Sequence, residues 1–267
     1  MTWSNLQLRI LSGLVLAPPV LAVAYFGSPW FNIFLCVLAA LLAWEWERMC
    51  GNTFGVPMVK IALWSTIAIF MMPDRPQFAG AAIALGLVSV WWSANRFNAK
   101  GDPKWSALGL LYIAVPCISL VIVRGGGIQG PETLLWLLAV VWGTDIGAYG
   151  FGRIIGGPLL APRISPRKTW AGFFGGILSA VGLACAVGLL YEISNFVMLA
   201  GVSVGVSIIS QMGDLFESSL KRRFNVKDSG NLIPGHGGVL DRVDGLLAAA
   251  PAAALVIILL GGGIGVW

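Results

Sequence analysis

Charge is what this sequence is short of. Only 11% of its 267 residues are Asp, Glu, Lys or Arg, whereas 57% are hydrophobic and the mean hydropathy is +0.84. A soluble domain carries roughly 25% charged residues, so a water-exposed globular surface cannot be built from this composition and a polytopic membrane protein is implied. Histidine is rarer still, with His236 the only one. The four cysteines, Cys36, Cys50, Cys117 and Cys185, stand apart, with no CxxC pair and no histidine at zinc-ligand spacing. Neither a disulfide framework nor a zinc centre is supported, and apolar packing is their expected role. The net charge of +5 is what a positive cytoplasmic face requires for insertion, and gives no ground for nucleic-acid binding.

The abundant apolar residues divide into nine stretches, at about 8–26, 30–49, 56–72, 78–93, 107–123, 132–152, 170–191, 195–215 and 245–266. The predicted fold is all-α, with about nine transmembrane helices. Breakers separate the stretches, among them Gly27-Ser28-Pro29, Gly101-Asp102-Pro103 and Gly125-Gly126-Gly127. The first does not read as a cleaved signal peptide, because Pro18-Pro19 interrupts its core. With the N-terminus in the cytoplasm, every cation except Arg75 and Arg124 falls on the cytoplasmic side. A bacterial-type inner membrane with cytoplasmic active-site loops is expected. Residues 1–131 then form an N-terminal scaffold, which could also admit lipid or make a dimer contact, and 132–267 a catalytic region with loops at 153–170 and 216–244. Glu45 and Glu47 beside Arg48 read as an ordinary interfacial cluster, and Gly80, Gly86 and Gly109 as points of close helix contact.

The scarce charge is concentrated late in the chain. Asp214, Glu217, Asp228, Asp241 and Asp244 are five of the twelve carboxylates, and Lys221, Arg222, Arg223, Lys227 and Arg242 are five of the seventeen cations. Charge is costly near a bilayer unless it serves chemistry. Ser207, Gln211, Asp214, Ser218 and Lys221 recur at helical spacing and line one face. A loop rich in glycine and proline follows (Gly230, Pro234, Gly235, Gly237, Gly238), whose backbone can come close to a bound group and aim N–H donors at an anion. Asp241 can then cap a new helix with Asp244 one turn in. Carboxylates that hold a hard divalent cation, with Lys and Arg nearby for phosphate oxygens, suit phosphoryl or nucleotidyl transfer. A second polar stretch places Asp145, Tyr149 and Arg153 on one helical face and follows it with Arg163, Ser165, Arg167, Lys168 and Thr169.

From Ser218 to Asp244 the chain resembles the signature of the phosphatidate cytidylyltransferases, or CDP-diacylglycerol synthases. The matching positions are Ser218, Lys221-Arg222, Lys227-Asp228, Gly230, Ile233-Pro234, His236-Gly237-Gly238 and Asp241-Arg242-Val243-Asp244. The earlier run of Asp145, Tyr149 and Ser165-Pro166-Arg167-Lys168-Thr169 resembles the family's second recurrent segment. The resemblance implies transfer of CMP from CTP to phosphatidic acid, giving CDP-diacylglycerol and pyrophosphate. It implies Mg2+ on Asp214, Asp241 and Asp244, with a second cation such as K+ compatible beside it. Lys221 and Arg222 join those carboxylates as catalytic candidates. Asp145, Tyr149, Ser165, Lys168, Ser218, Lys227, Asp228, His236, Gly237, Gly238 and Arg242 are the candidates for substrate contact. His236 is expected to hold a phosphate or the turn rather than to act as a base, because a phosphate oxygen is already ionised at neutral pH.

Three other readings fit less well. An ion-coupled transporter would show two related halves, but here the polar residues crowd into one. A CDP-alcohol phosphotransferase carries several spaced aspartates of which only Asp244-Gly245 gives an echo. A purely structural membrane protein has no use for so much charge between Asp214 and Asp244. A homodimer is compatible with the sequence but no motif carries it.

Overall fold

The computed structural model describes residues 5–50, 55–97, 101–125, 129–230, 232 and 237–267. Among them the elements are α1 (Asn5–Phe26), α2 (Trp30–Met49), α3 (Val56–Met71), α4 (Pro76–Arg96), α5 (Pro103–Gly125), α6 (Gly130–Ile154), β1 (Leu159–Ala161), β2 (Ser165–Thr169), α7 (Trp170–Leu190), α8 (Phe196–Arg223) and α9 (Leu240–Leu260). Seven helices, α2 and α4 to α9, are long and apolar enough to cross a membrane. The apolar run Ala17–Phe26 of α1 and the 16-residue α3 fall below that length. At 1.5 Å per residue α3 reaches only about 24 Å, against a hydrocarbon core of about 30 Å. This is an integral membrane protein of the all-α class, with one small β-hairpin between α6 and α7.

Local chemistry starts several of these helices. Proline stands in the first turn of α3, α4 and α6, where its missing N–H is one that no helical carbonyl would accept. Thr169 caps α7, its hydroxyl accepting from the Gly172 N–H at 3.1 Å. Pro116 and Pro251 lie inside α5 and α9, which apolar surroundings tolerate when neighbours take up the freed carbonyls.

The chain forms two compact units. The first comprises Met1–Val121 and Arg223–Val243. Within it α2 meets α5 through Trp46, whose indole N–H donates to the Trp105 carbonyl at 2.8 Å and whose ring lies 5.0 Å from that of Tyr112. Gly109 faces the same indole so closely that a Cβ there would collide with it. A Cβ on Gly86 would meet Leu110 at 2.7 Å and Trp64 at 2.8 Å, so both glycines are points of close helix contact. Gly80 has nothing within 4 Å. Trp105 also receives the returning chain, with Phe224 edge-on at 5.1 Å and the Arg223 guanidinium 5.1 Å from the ring centre.

The second unit comprises Ile122–Arg222 and Asp244–Trp267. There α6 and α7 approach through small residues, since a Cβ on Gly172 would lie 2.7 Å from the Ala148 carbonyl and one on Gly176 2.9 Å from that of Thr144. Buried hydroxyls tie α8 to α6. Trp136 donates to Ser203 at 2.9 Å, and the Thr144 and Ser207 hydroxyls are 2.8 Å apart. In lipid, where apolar contact alone does not distinguish a helix from its solvent, such bonds and close backbone approaches set which helix packs on which.

Candidate active site

In the second unit the polar face of α8 is anchored step by step. Ser207 meets Thr144 on α6, and the Gln211 amide donates to the Phe173 carbonyl on α7 at 3.2 Å. One turn on stands Asp214, and at that level α9 comes unusually close. Gly213 faces Ala248, with a virtual Cβ 3.0 Å from the Asp244 carbonyl, and a virtual Cβ on Gly245 would lie 2.5 Å from the Ser210 hydroxyl. Each glycine is the sequence neighbour of a carboxylate, so this close approach brings Asp214 and Asp244 together. Carboxylate oxygens of Asp214, Glu217 and Asp244 all lie within 4.8 Å of one another.

Two lysines balance this cluster. Lys168 Nζ is 2.5 Å from Asp214 Oδ2, and Lys221 Nζ is 2.6 Å from Glu217 Oε2. Glu217 is fully buried, whereas Lys168 and Asp214 remain partly accessible. Asp145 on α6 belongs to the same unit. Ser218 lies 3.5 Å from the second oxygen of Asp214.

The hairpin explains how Lys168 arrives there. β1 pairs antiparallel with β2, Leu159 opposite Thr169 and Ala161 opposite Ser165. β2 runs straight into the Thr169 cap of α7, so Lys168 is held between a paired strand and a capped helix. The Arg222 Nε donates to the Ile164 carbonyl at the hairpin turn, at 3.4 Å. Tyr149 accepts a hydrogen bond from Arg153 at 2.8 Å on the exposed face of α6.

A second polar assembly lies in the first unit. Asp241, in the first turn of α9, turns its Oδ2 back to accept from the Ser229 N–H at 3.0 Å and the Gly238 N–H at 2.9 Å, with the Ser229 hydroxyl also at 3.0 Å. The expected capping aspartate thus closes the loop before its helix. The N–H groups at the helix start go to Glu45 of α2 instead: Val239 at 2.8 Å and Leu240 at 2.7 Å.

All-oxygen donors at this spacing suit a hard divalent cation. Oxygens around one Mg2+ at about 2.1 Å lie at most about 4.2 Å apart, so the carboxylates of Asp214, Glu217 and Asp244 need only small side-chain adjustments to share one. The model of the family described as "Cytidylyltransferase family" matches residues 7–260. The chain belongs to the cytidylyltransferase family. Among its relatives are proteins named phosphatidate cytidylyltransferase. That of Brucella suis is 40% identical over 255 residues, covering 92% of this chain and 91% of the relative. The Pseudomonas aeruginosa protein is 36% identical over 262 residues, covering 92% and 94%. The Staphylococcus epidermidis protein is 32% identical over 257 residues, covering 92% and 96%.

In this cytidylyltransferase the residues singled out from sequence fall into two groups. Asp214, Asp244, Lys221, Arg222, Asp145, Tyr149, Ser165, Lys168 and Ser218 belong to the second unit. Asp241, Lys227, Asp228, Gly237, Gly238 and Arg242 belong to the first, with Lys227, Asp228 and Arg242 exposed. His236, with Ile233 and Pro234, lies outside the described residues. Two carboxylates carry more than the sequence suggested. Glu217, which is not among the stripe residues Ser207 to Lys221 named above, both pairs with Lys221 and belongs to the acidic cluster, and its signal was the i, i+3 step from Asp214. Glu45, read as interfacial, is fully buried. The hint was a carboxylate inside an apolar helix, which demands a partner.

Proposed function

We propose that this chain is a phosphatidate cytidylyltransferase, transferring CMP from CTP to phosphatidic acid within the membrane. Family membership supports the reaction, and the observation that carries the site is the Asp214, Glu217 and Asp244 cluster with Lys168 and Lys221 bound to it. A phosphatidate oxygen, already ionised, attacks the α-phosphorus of CTP. The new P–O bond forms as the bond to the β-phosphate oxygen breaks, and pyrophosphate leaves with that electron pair. No proton has to move, so no general base is required.

Both reactants are polyanions, and the work of the protein is to let them approach. Asp214, Glu217 and Asp244 would hold Mg2+, with Asp241 a further carboxylate from its place in the signature. When bound, the ion neutralises triphosphate charge and stabilises the leaving pyrophosphate. Lys168 and Lys221, held at the carboxylates, bring positive charge to phosphate oxygens. Arg222, Lys227 and Arg242 add positive charge. Tyr149, Ser165, Ser218, Asp145, Asp228, His236, Gly237 and Gly238 complete the proposed substrate contacts. We further propose nine spans, with the N-terminus and charged loops on the cytoplasmic side, where the basic residues collect.

Purified protein in mixed micelles with phosphatidic acid should release pyrophosphate from CTP and form a lipid-soluble CMP product. Chelation with EDTA should abolish turnover and added Mg2+ restore it. Equal release from ATP or GTP, or none from CTP, would reject the assignment.

A further inference from the structure

The glycine loop before α9 was expected to aim its N–H groups at a bound anion. Within the first unit two of them are aimed at an anion of the protein itself. Glu45, fully buried on α2, takes the Val239 and Leu240 N–H groups at 2.8 and 2.7 Å, and its Oε2 lies 3.1 Å from the Ser229 hydroxyl. That hydroxyl is also within reach of Asp241. The loop is shaped around this carboxylate. A Cβ on Gly230 would stand 2.6 Å from Glu45 Oε1, and one on Gly238 would stand 2.6 Å from Oε2. Leu240 is the first residue of α9, so Glu45 acts as the cap of a helix 195 residues away in sequence, placing negative charge at its positive end.

A buried carboxylate is a costly way to fill space, because hydrophobic residues of the same volume would serve stability as well or better. What it supplies is direction: its two oxygens accept from the Val239 and Leu240 N–H groups and the Ser229 hydroxyl, and Ser229, so held, donates its own N–H to the carboxylate of Asp241. We infer that Glu45 is a positioning residue for cytidylyl transfer, setting Ser229 and the Gly238–Leu240 start of α9 so that Asp241 is presented for cation binding. This rests on the carboxylate-cation reading above.

The test uses the full chain in detergent, with Mn2+ as the probe and loss of the free-ion electron spin resonance signal as the direct readout of binding. Mg2+ dependence of turnover and thermal unfolding are followed alongside. Glu45→Gln keeps the volume but turns an amide N–H2 toward backbone donors. It should weaken Mn2+ binding and raise the Mg2+ concentration for half-maximal rate by about tenfold, with much of the rate recovered at high Mg2+. Gly230→Ala pushes on the same carboxylate and should shift both readouts in the same direction. Combined with Glu45→Ala it should add nothing, since the atoms it would strike are gone.

Wild-type Mn2+ affinity in both single variants, whatever their activity, would overturn the inference. Loss of the folded protein in both would do so too, making Glu45 a stability residue only. Wild-type protein that binds no Mn2+ and ignores chelation would instead remove the cation reading itself, and this inference with it.

Discussion

Lys168 and Lys221 make similar contacts in different surroundings, and the difference predicts different phenotypes. The Lys168–Asp214 pair is partly accessible to solvent, so its net contribution to stability is at most about 1 kcal/mol. Lys168→Met should leave thermal unfolding nearly unchanged yet lower kcat/KM for CTP by about 100-fold, equivalent to about 2.7 kcal/mol of transition-state stabilisation. Glu217 is fully buried. Taking away its ammonium partner strands a buried charge, which costs about 3–5 kcal/mol, so Lys221→Met should unfold at markedly lower temperature in detergent. Asp214→Asn and Asp244→Asn should each reduce turnover by 100-fold or more while the protein stays folded; activity within a few-fold of wild type would remove that carboxylate from the cation site. At this level the sequence was legible where spacing is local. Asp214, Ser218 and Lys221 sit on one helical stripe, and Lys168 stands in a recognisable short run. Glu45 was opaque because its partners lie 184 to 195 residues further on, and no periodicity reaches that far.

Glycines decide how α8 and α9 meet. Gly213 and Gly245 each leave room that a methyl group would fill with Ala248 or Ser210, and each is bonded to one of the aspartates that the approach brings together. Gly213→Ala should therefore separate the carboxylates by a fraction of an ångström, with a loss of kcat out of proportion to the change in unfolding temperature. Comparing Mn2+ affinity with thermal stability in this variant checks it, and equal proportional losses would contradict it. Thr169 offers a contrast. Thr169→Val removes the cap of α7 and should cost about 1 kcal/mol, seen as lowered unfolding temperature, with Lys168 displaced as a second effect on CTP binding. The helices themselves were readable from apolar run length and from breakers such as Gly101-Asp102-Pro103. The small hairpin was not: its strands span only three and five residues, too few for a period of two to show.

Taken whole, the composition foretold an all-α membrane protein, and among the described residues seven helices are fit to span one. Composition gave no sign of the interleaving, in which the first unit draws on Met1–Val121 and then on Arg223–Val243. Such non-local pairing leaves no local pattern. A chain ending at Arg222 would lack the segment that meets Trp105 and Glu45, and should elute as aggregate on size exclusion in mild detergent even though α1 to α7 and all but the last residue of α8 are present. Recovery of a monodisperse truncated protein would count against that dependence.

The reach of Glu45 also bears on biogenesis. A ribosome adding about 5–20 residues per second needs roughly 10–40 s to get from α2 to the Ser229, Val239 and Leu240 donors. Throughout that interval the nascent chain holds an acid inside an apolar segment without the groups that later satisfy it. The half-made protein must therefore shelter or hydrate this acid until the segment from Ser229 to Leu240 has been made.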